Sequence, residues 1–65
     1  MRPDEAKALN DEELLKELKE AHKELFNLRF RLATKQLVNH REIPRTRRKI
    51  ALLNTVIRAR ELGIS

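Results

Sequence analysis

Apolar side chains recur every three or four residues along two stretches of this chain. The first has spacings of 4, 3, 4, 3 and 4 residues and comprises Leu14, Leu18, Ala21, Leu25, Leu28 and Leu32. The second has spacings of 7, 3 and 4 residues and comprises Ile43, Ile50, Leu53 and Ile57. Heptad spacing of this kind is typical of a helix that buries one face against another helix. The pattern therefore predicts two long helices, over about residues 11–36 and 43–61.

Capping signals mark the ends of these helices. Asn10, followed three residues later by Glu13, matches a capping box and predicts the start of the first long helix. Pro3 suits the first turn of a helix, so a short N-terminal helical segment is expected over about residues 3–9. Gly63 follows the second long helix and can supply the left-handed residue that often ends one.

A break over about residues 37–42 separates the two long helices. Asn39 is the best candidate for the N-cap of the second helix, because Glu42 follows it by three residues. Pro44 would then lie in the second turn of this helix and remove one backbone hydrogen bond. The alternative is that the second helix begins near Pro44 itself. Matching apolar faces joined by a short break predict an all-α fold, an antiparallel two-helix hairpin in a single domain over residues 1–65.

A hairpin of this size has little interior to fill. The chain has 65 residues and no cysteine, so no disulfide can stabilise it, and a binding partner is the expected source of additional stability. Four residues beside the two apolar series are candidates for a surface that faces a protein partner: Phe26, Phe30, Leu52 and Val56. The alternative, equally open, is that all four pack between the two helices.

Charge is distributed unevenly along the chain. Residues 1–24 carry eight acidic and five basic side chains, whereas residues 25–65 carry two acidic and ten basic ones. Eight of these ten bases are arginine, whose planar guanidinium matches phosphate better than the lysine ammonium does. Such a density of like charge indicates an anionic partner, of which nucleic acid is the first candidate. The alternative is that the basic residues simply form a solvated surface.

The bases converge on the turn of the predicted hairpin, so a nucleic-acid contact is expected there. The residues expected to contact phosphate and sugar are Arg29, Arg31, Lys35, Arg41, Arg45, Arg47, Arg48, Lys49 and Arg58. Those expected to add neutral hydrogen bonds are Gln36, Asn39, His40, Asn54 and Thr55. Because the chain has only two aromatic residues, backbone or duplex binding is favoured over base stacking.

Other functions have little support in the sequence. Neither His22 nor His40 has an acidic residue three or four positions away, and there is no cysteine, so no metal site or cofactor is expected. A single serine and a single glycine, on a fold without a pocket, do not favour an enzyme or a small-molecule substrate. No apolar run suits a membrane span or a signal peptide, which predicts a cytoplasmic protein. A coiled-coil assembly adaptor that binds no nucleic acid remains the alternative function.

Several short strings, taken in order, carry a family resemblance. They are ELFNLRFRLA at residues 24–33, QL at 36–37, RRKIA at 47–51, NTVIR at 54–58 and ELG at 61–63. In their order and spacing, over nearly the whole chain, they resemble the bacterial large-subunit ribosomal protein twenty-nine family. That family often has glycine just before the Gln-Leu pair, where this chain has Lys35. The difference leaves open whether the first long helix continues further than usual.

The resemblance implies a function more specific than the residues alone support. It implies a structural protein of the large ribosomal subunit that binds rRNA near the rim of the peptide exit tunnel. It also implies ribosomal protein twenty-three as a neighbour, and proximity to nascent-chain factors that dock at the tunnel exit. The expected location is the cytoplasmic ribosome.

Overall fold

The computed structural model describes residues 1–63, and over this range the chain forms three helices. They are α1 (Pro3–Lys7), α2 (Asp11–Ala33) and α3 (Glu42–Glu61). Asp11, at the start of α2, contacts Arg60 near the end of α3, while Glu17 contacts Lys49 further back along it. α2 and α3 therefore run antiparallel, in a molecule of 44 × 17 × 16 Å. The predicted all-α hairpin is confirmed.

The core lies along the line where α2 and α3 meet. Leu14 from α2 and Leu53 from α3 are fully buried and are its largest such side chains. Ala21, Ile50 and Val56 complete the buried cluster together with Ala6 of α1. Burial of one leucine side chain contributes about 1.5–3 kcal/mol, so these few contacts supply most of the apolar stabilisation available to the hairpin.

The short helix α1 packs against α3 near the open end of the hairpin. Its Ala6 is fully buried, and Leu9, just after it, is half-buried against the same core. α1 ends at Lys7, two residues earlier than predicted, because Asn10 must adopt an extended backbone to cap α2. The Asn10 Oδ1 accepts the Glu13 N–H at 2.8 Å and the Glu13 carboxylate accepts the Asn10 N–H at 3.4 Å, which confirms the capping box.

α2 ends at Ala33, three residues before the predicted end at 36. Lys35 has a φ of +61°, in the left-handed region that glycine adopts most easily. The Lys35 N–H donates to the Leu32 carbonyl at 3.0 Å and the Gln36 N–H donates to the Arg31 carbonyl at 2.9 Å. This pair of bonds is a Schellman motif. The helix does not continue further, because Lys35 itself takes the conformation expected of glycine.

α3 begins at Glu42, so Pro44 is its third residue. At this position a backbone N–H has no partner within the helix, and the predicted loss of a hydrogen bond in the second turn is wrong. Asn39 is not the N-cap, which is Arg41. Instead, the Asn39 Oδ1 accepts the Arg41 N–H and its carbonyl accepts the Glu42 N–H, both at 3.0 Å. Asn39 thus stabilises the turn that leads into α3.

Within residues 1–63, no helix combines the length and the apolar character needed to cross a bilayer.

Candidate nucleic-acid interface

Five arginines lie on the surface of α3 and at the residue that caps it. We call this set the α3 arginine surface: it consists of Arg41, Arg45, Arg47, Arg48 and Arg58, all exposed. α3 buries Thr46, Ile50 and Leu53 against the rest of the fold, so these arginines occupy its remaining circumference. Within residues 1–63 none of the five guanidinium groups forms an ion pair with a carboxylate. Their charge is therefore available to an external anion.

The basic residues predicted on α2 do not form one group. Arg29 and Arg31 are both exposed, but residues two apart project to nearly opposite sides of a helix. Arg31 lines a shallow depression with three glutamates and one lysine, and the net negative charge of these neighbours lowers the local attraction for phosphate. Arg29 projects away from this acidic depression. The structure thus separates two bases that the sequence places side by side.

Lys49 differs from the other predicted bases of α3. Its Nζ lies 3.4 Å from a carboxylate oxygen of Glu17, and its side chain is only 30% exposed. The pair bridges α2 and α3, and a partly exposed pair of this kind contributes at most about 1 kcal/mol. Lys49 therefore forms an ion pair within the hairpin, and a contact with an RNA phosphate would have to replace its contact with Glu17.

The neutral residues predicted at the interface lie in two places. Gln36, Asn39 and His40 are exposed in the segment between α2 and α3, while Asn54 and Thr55 are exposed on α3. The Thr55 hydroxyl donates to the Ala51 carbonyl at 2.8 Å. Its single proton is thus used inside the helix, and its oxygen can only accept a further hydrogen bond.

The four predicted protein-interface residues differ in their exposure to solvent. Phe26 and Phe30 are 68% and 56% exposed, so their rings are available to a partner. Val56 is only 4% exposed and belongs to the same buried cluster as Ala6. Leu52 is half-buried against this core. Of the two alternatives, packing in the core holds for Val56 and in part for Leu52, because the core side of α3 extends to include both residues, whereas Phe26 and Phe30 face outward.

Arg60 is a structural residue that the sequence patterns did not single out. Its guanidinium donates to the Asp11 carboxylate and to the Lys7 carbonyl, both at 3.0 Å, and also to the Leu9 carbonyl. It therefore joins the end of α1 and the start of α2 to the last turn of α3. One feature of the sequence indicates this role. Arg60 follows Ile57 by three residues, so a charged side chain occupies the next position of the apolar series of α3.

The acidic and histidine residues do not form a site of their own in the part of the chain that the structure describes. No group of three histidine, cysteine, aspartate or glutamate side chains there could hold a metal ion.

Comparison with known proteins gives the family of this chain. The family model described as Ribosomal L29 protein matches residues 4–60. The chain belongs to this family. Its members are structural ribosomal proteins of the large subunit rather than enzymes, which places the chain in a ribonucleoprotein of translation. The resemblance noted in the sequence is confirmed.

Curated relatives of the Ribosomal L29 family match over most of their length. The large ribosomal subunit protein uL29 of Dehalococcoides mccartyi is 53% identical over 64 residues, which cover 98% of both chains. That of Corynebacterium efficiens is 57% identical over 61 residues, covering 94% of this chain and 80% of the relative. That of Mycobacterium leprae is 51% identical over 63 residues, covering 97% and 79%.

Proposed function

We propose that this chain binds the rRNA of the large subunit through the α3 arginine surface and acts there as a structural component. The observation that carries the proposal is the set of five exposed guanidinium groups that form no ion pair within residues 1–63. Arginine can bind phosphate with two parallel hydrogen bonds, and such contacts position a protein on RNA without reading its sequence. Arg29, Lys35 and Arg31 extend the surface at the turn, with Arg31 the weakest because of its acidic surroundings.

The neutral residues suit a supporting role at the same interface. Gln36, Asn39 and His40 lie between the two groups of bases, and Asn54 lies among the arginines of α3. Their side chains can hydrogen-bond to phosphate, ribose hydroxyl or base edges. Thr55, whose proton is already donated, would accept a hydrogen bond from a ribose 2′-hydroxyl. Lys49 would contribute only through its positive charge.

The exposed rings of α2 support a second, protein-facing surface. Phe26 and Phe30 are four residues apart, one above the other on the same side of the helix. Two such rings exposed on a small hairpin favour burial by a neighbouring protein. Given the family, that neighbour would be ribosomal protein twenty-three, at the rim of the peptide exit tunnel on the cytoplasmic ribosome. Nascent-chain factors that dock at the rim would approach the same surface.

The alternative adaptor function fits the structure less well. A coiled-coil adaptor needs a free heptad face, but Leu14, Ala21 and Leu53 already bury each other within the hairpin. The adaptor hypothesis predicts self-association of the pure protein without RNA. The RNA-binding hypothesis predicts a monomer, which sedimentation at two protein concentrations would distinguish.

Neutralising part of the α3 arginine surface tests the proposal. We expect the combined change Arg45→Gln, Arg47→Gln and Arg48→Gln to weaken binding to large-subunit rRNA on the order of a hundredfold at about 100 mM salt. The matched control is Lys16→Gln, Lys19→Gln and Lys23→Gln, which removes three charges from exposed positions of α2. Filter binding should show little change for this control. Equal losses for the two triple variants would mean that net charge, rather than this surface, determines binding.

A further inference from the structure

We propose that α3 lies lengthwise in the minor groove of an RNA duplex, with arginines on its two flanks contacting the two opposing phosphate backbones. This inference rests on the proposed function and goes beyond it, because it specifies the kind of RNA feature that the surface fits. The observation that carries it is the arrangement of long and short side chains around the exposed side of α3.

The arginines of α3 fall on two flanks rather than one face. Successive residues of an α-helix are rotated by about 100°, so Arg41, Arg45 and Arg48, at spacings of four and three, share one flank. Arg47 and Arg58 are eleven residues apart, about three full turns, and share the other flank. Both flanks are exposed, whereas the side facing α2 and α1 is buried.

Short side chains occupy the strip between the two flanks. Pro44, Ala51 and Thr55 follow one another at spacings of seven and four residues, which keeps them on the same side of the helix. All three are exposed. Thr55 projects little, because its hydroxyl is turned back to the Ala51 carbonyl at 2.8 Å. The backbone of α3 can therefore approach a surface closely along this strip, with guanidinium groups extending on both sides.

This profile matches the minor groove of double-stranded RNA. That groove is wide and shallow and presents ribose hydroxyls between two phosphate backbones, whereas the major groove is too deep and narrow for a helix to enter. The strip of short residues would face the floor of the groove, where the Thr55 oxygen can accept from a 2′-hydroxyl. A helix that contacted a single backbone would need arginines on only one flank.

The shape of the strip gives a test that does not alter charge. We expect Ala51→Trp to weaken binding to a large-subunit rRNA transcript at least tenfold, because the indole would hold α3 away from the groove floor. Ala8→Trp is the matched control, since Ala8 is also exposed but lies outside the proposed interface. Circular dichroism should show the same helix content in both variants. If Ala51→Trp binds as tightly as the control, the groove-bound arrangement is wrong even where the arginines matter.

Directed cleavage then identifies the strands on each flank. Arg45 lies on one flank, and Asn54, seven residues or about two turns after Arg47, lies on the other. The chain has no cysteine, so Arg45→Cys and Asn54→Cys each provide a unique attachment point for an iron chelate that generates hydroxyl radicals. We expect cleavage from the two positions to fall on opposite strands of one duplex. Cleavage of a single strand, or of two separate duplexes, would overturn the inference. Failure of the unmodified chain to bind the transcript at all would instead contradict the proposed function.

Discussion

Arg60 shows how much one side chain can organise in a small fold. It reaches two backbone carbonyls at the end of α1 and the carboxylate of Asp11 at the start of α2. Carbonyls at a helix end have no partner within the helix, so a guanidinium donor satisfies groups that would otherwise rely on water. Arg60 is thus a structural cation, whereas Arg58, two residues earlier, is exposed and is proposed to contact RNA.

Replacing these two arginines separates the two roles. We expect Arg60→Ala to lower the free energy of unfolding by about 1–3 kcal/mol, because its hydrogen bonds are charge-assisted and partly buried. Arg58→Ala, on the same helix, should change stability by less than about 0.5 kcal/mol. Urea unfolding followed by circular dichroism measures both. Equal destabilisation by the two substitutions would contradict the structural role of Arg60.

At the level of elements, the end of α2 is set by a residue poorly suited to its conformation. Lys35 occupies the left-handed position of the Schellman motif, where a side chain costs about 1–2 kcal/mol relative to a right-handed conformation. Thr34 also contributes, since its hydroxyl donates to the Phe30 carbonyl at 3.0 Å. The placement of a lysine here is consistent with its proposed contact with RNA.

Glycine at this position should therefore stabilise the protein. We expect Lys35→Gly to raise the free energy of unfolding by about 0.5–1 kcal/mol, the strain relieved minus the extra chain entropy of glycine. The same change within α2, Lys23→Gly, should lower it by about 1 kcal/mol. Thermal unfolding should show shifts of opposite sign for the two variants. A fall in stability with Lys35→Gly would show that the conformation of Lys35 is not strained. Independently of stability, Lys35→Gly should bind RNA more weakly, because it removes a basic side chain.

The helices themselves could be predicted from the sequence because their signals are local. The spacing of Leu14, Leu18 and Ala21 and the capping box at Asn10 depend only on neighbouring residues, and the structure has both features. The end of α2 could not be predicted, because lysine gives no sign that it will adopt a left-handed conformation. The start of α3 at Glu42 lies within one residue of the predicted bound, but its N-cap could not be predicted, because Asn39 stabilises a turn before the helix rather than capping it.

At the level of the whole molecule, the candidate site was predicted only in part. The exposed arginines of α3 follow from charge and helical spacing, but the ion pair of Lys49 and the contacts of Arg60 depend on which residues meet across the hairpin. Val56 is likewise buried in a cluster that contains residues from all three helices, and the periodicity of α3 alone does not reveal this packing. Long-range contacts therefore decided which of the predicted residues are free to bind a partner.

The sides of the hairpin differ in the charge and polarity of their exposed side chains. The α3 arginine surface is strongly basic, the early turns of α2 are acidic, and Phe26 and Phe30 expose apolar rings. This division suits a small protein that holds RNA on one side and meets a protein neighbour on another. The central claim is that binding depends on the phosphate contacts of α3.

The salt dependence of rRNA binding tests this claim most directly. Five phosphate contacts predict a slope of about −4 for the logarithm of the binding constant against the logarithm of salt concentration, or about a two-hundredfold loss between 50 and 200 mM. In the variant with Arg45→Gln, Arg47→Gln and Arg48→Gln, the slope should become shallower by about 2 to 3. A slope near zero, or one that these three substitutions leave unchanged, would contradict the account.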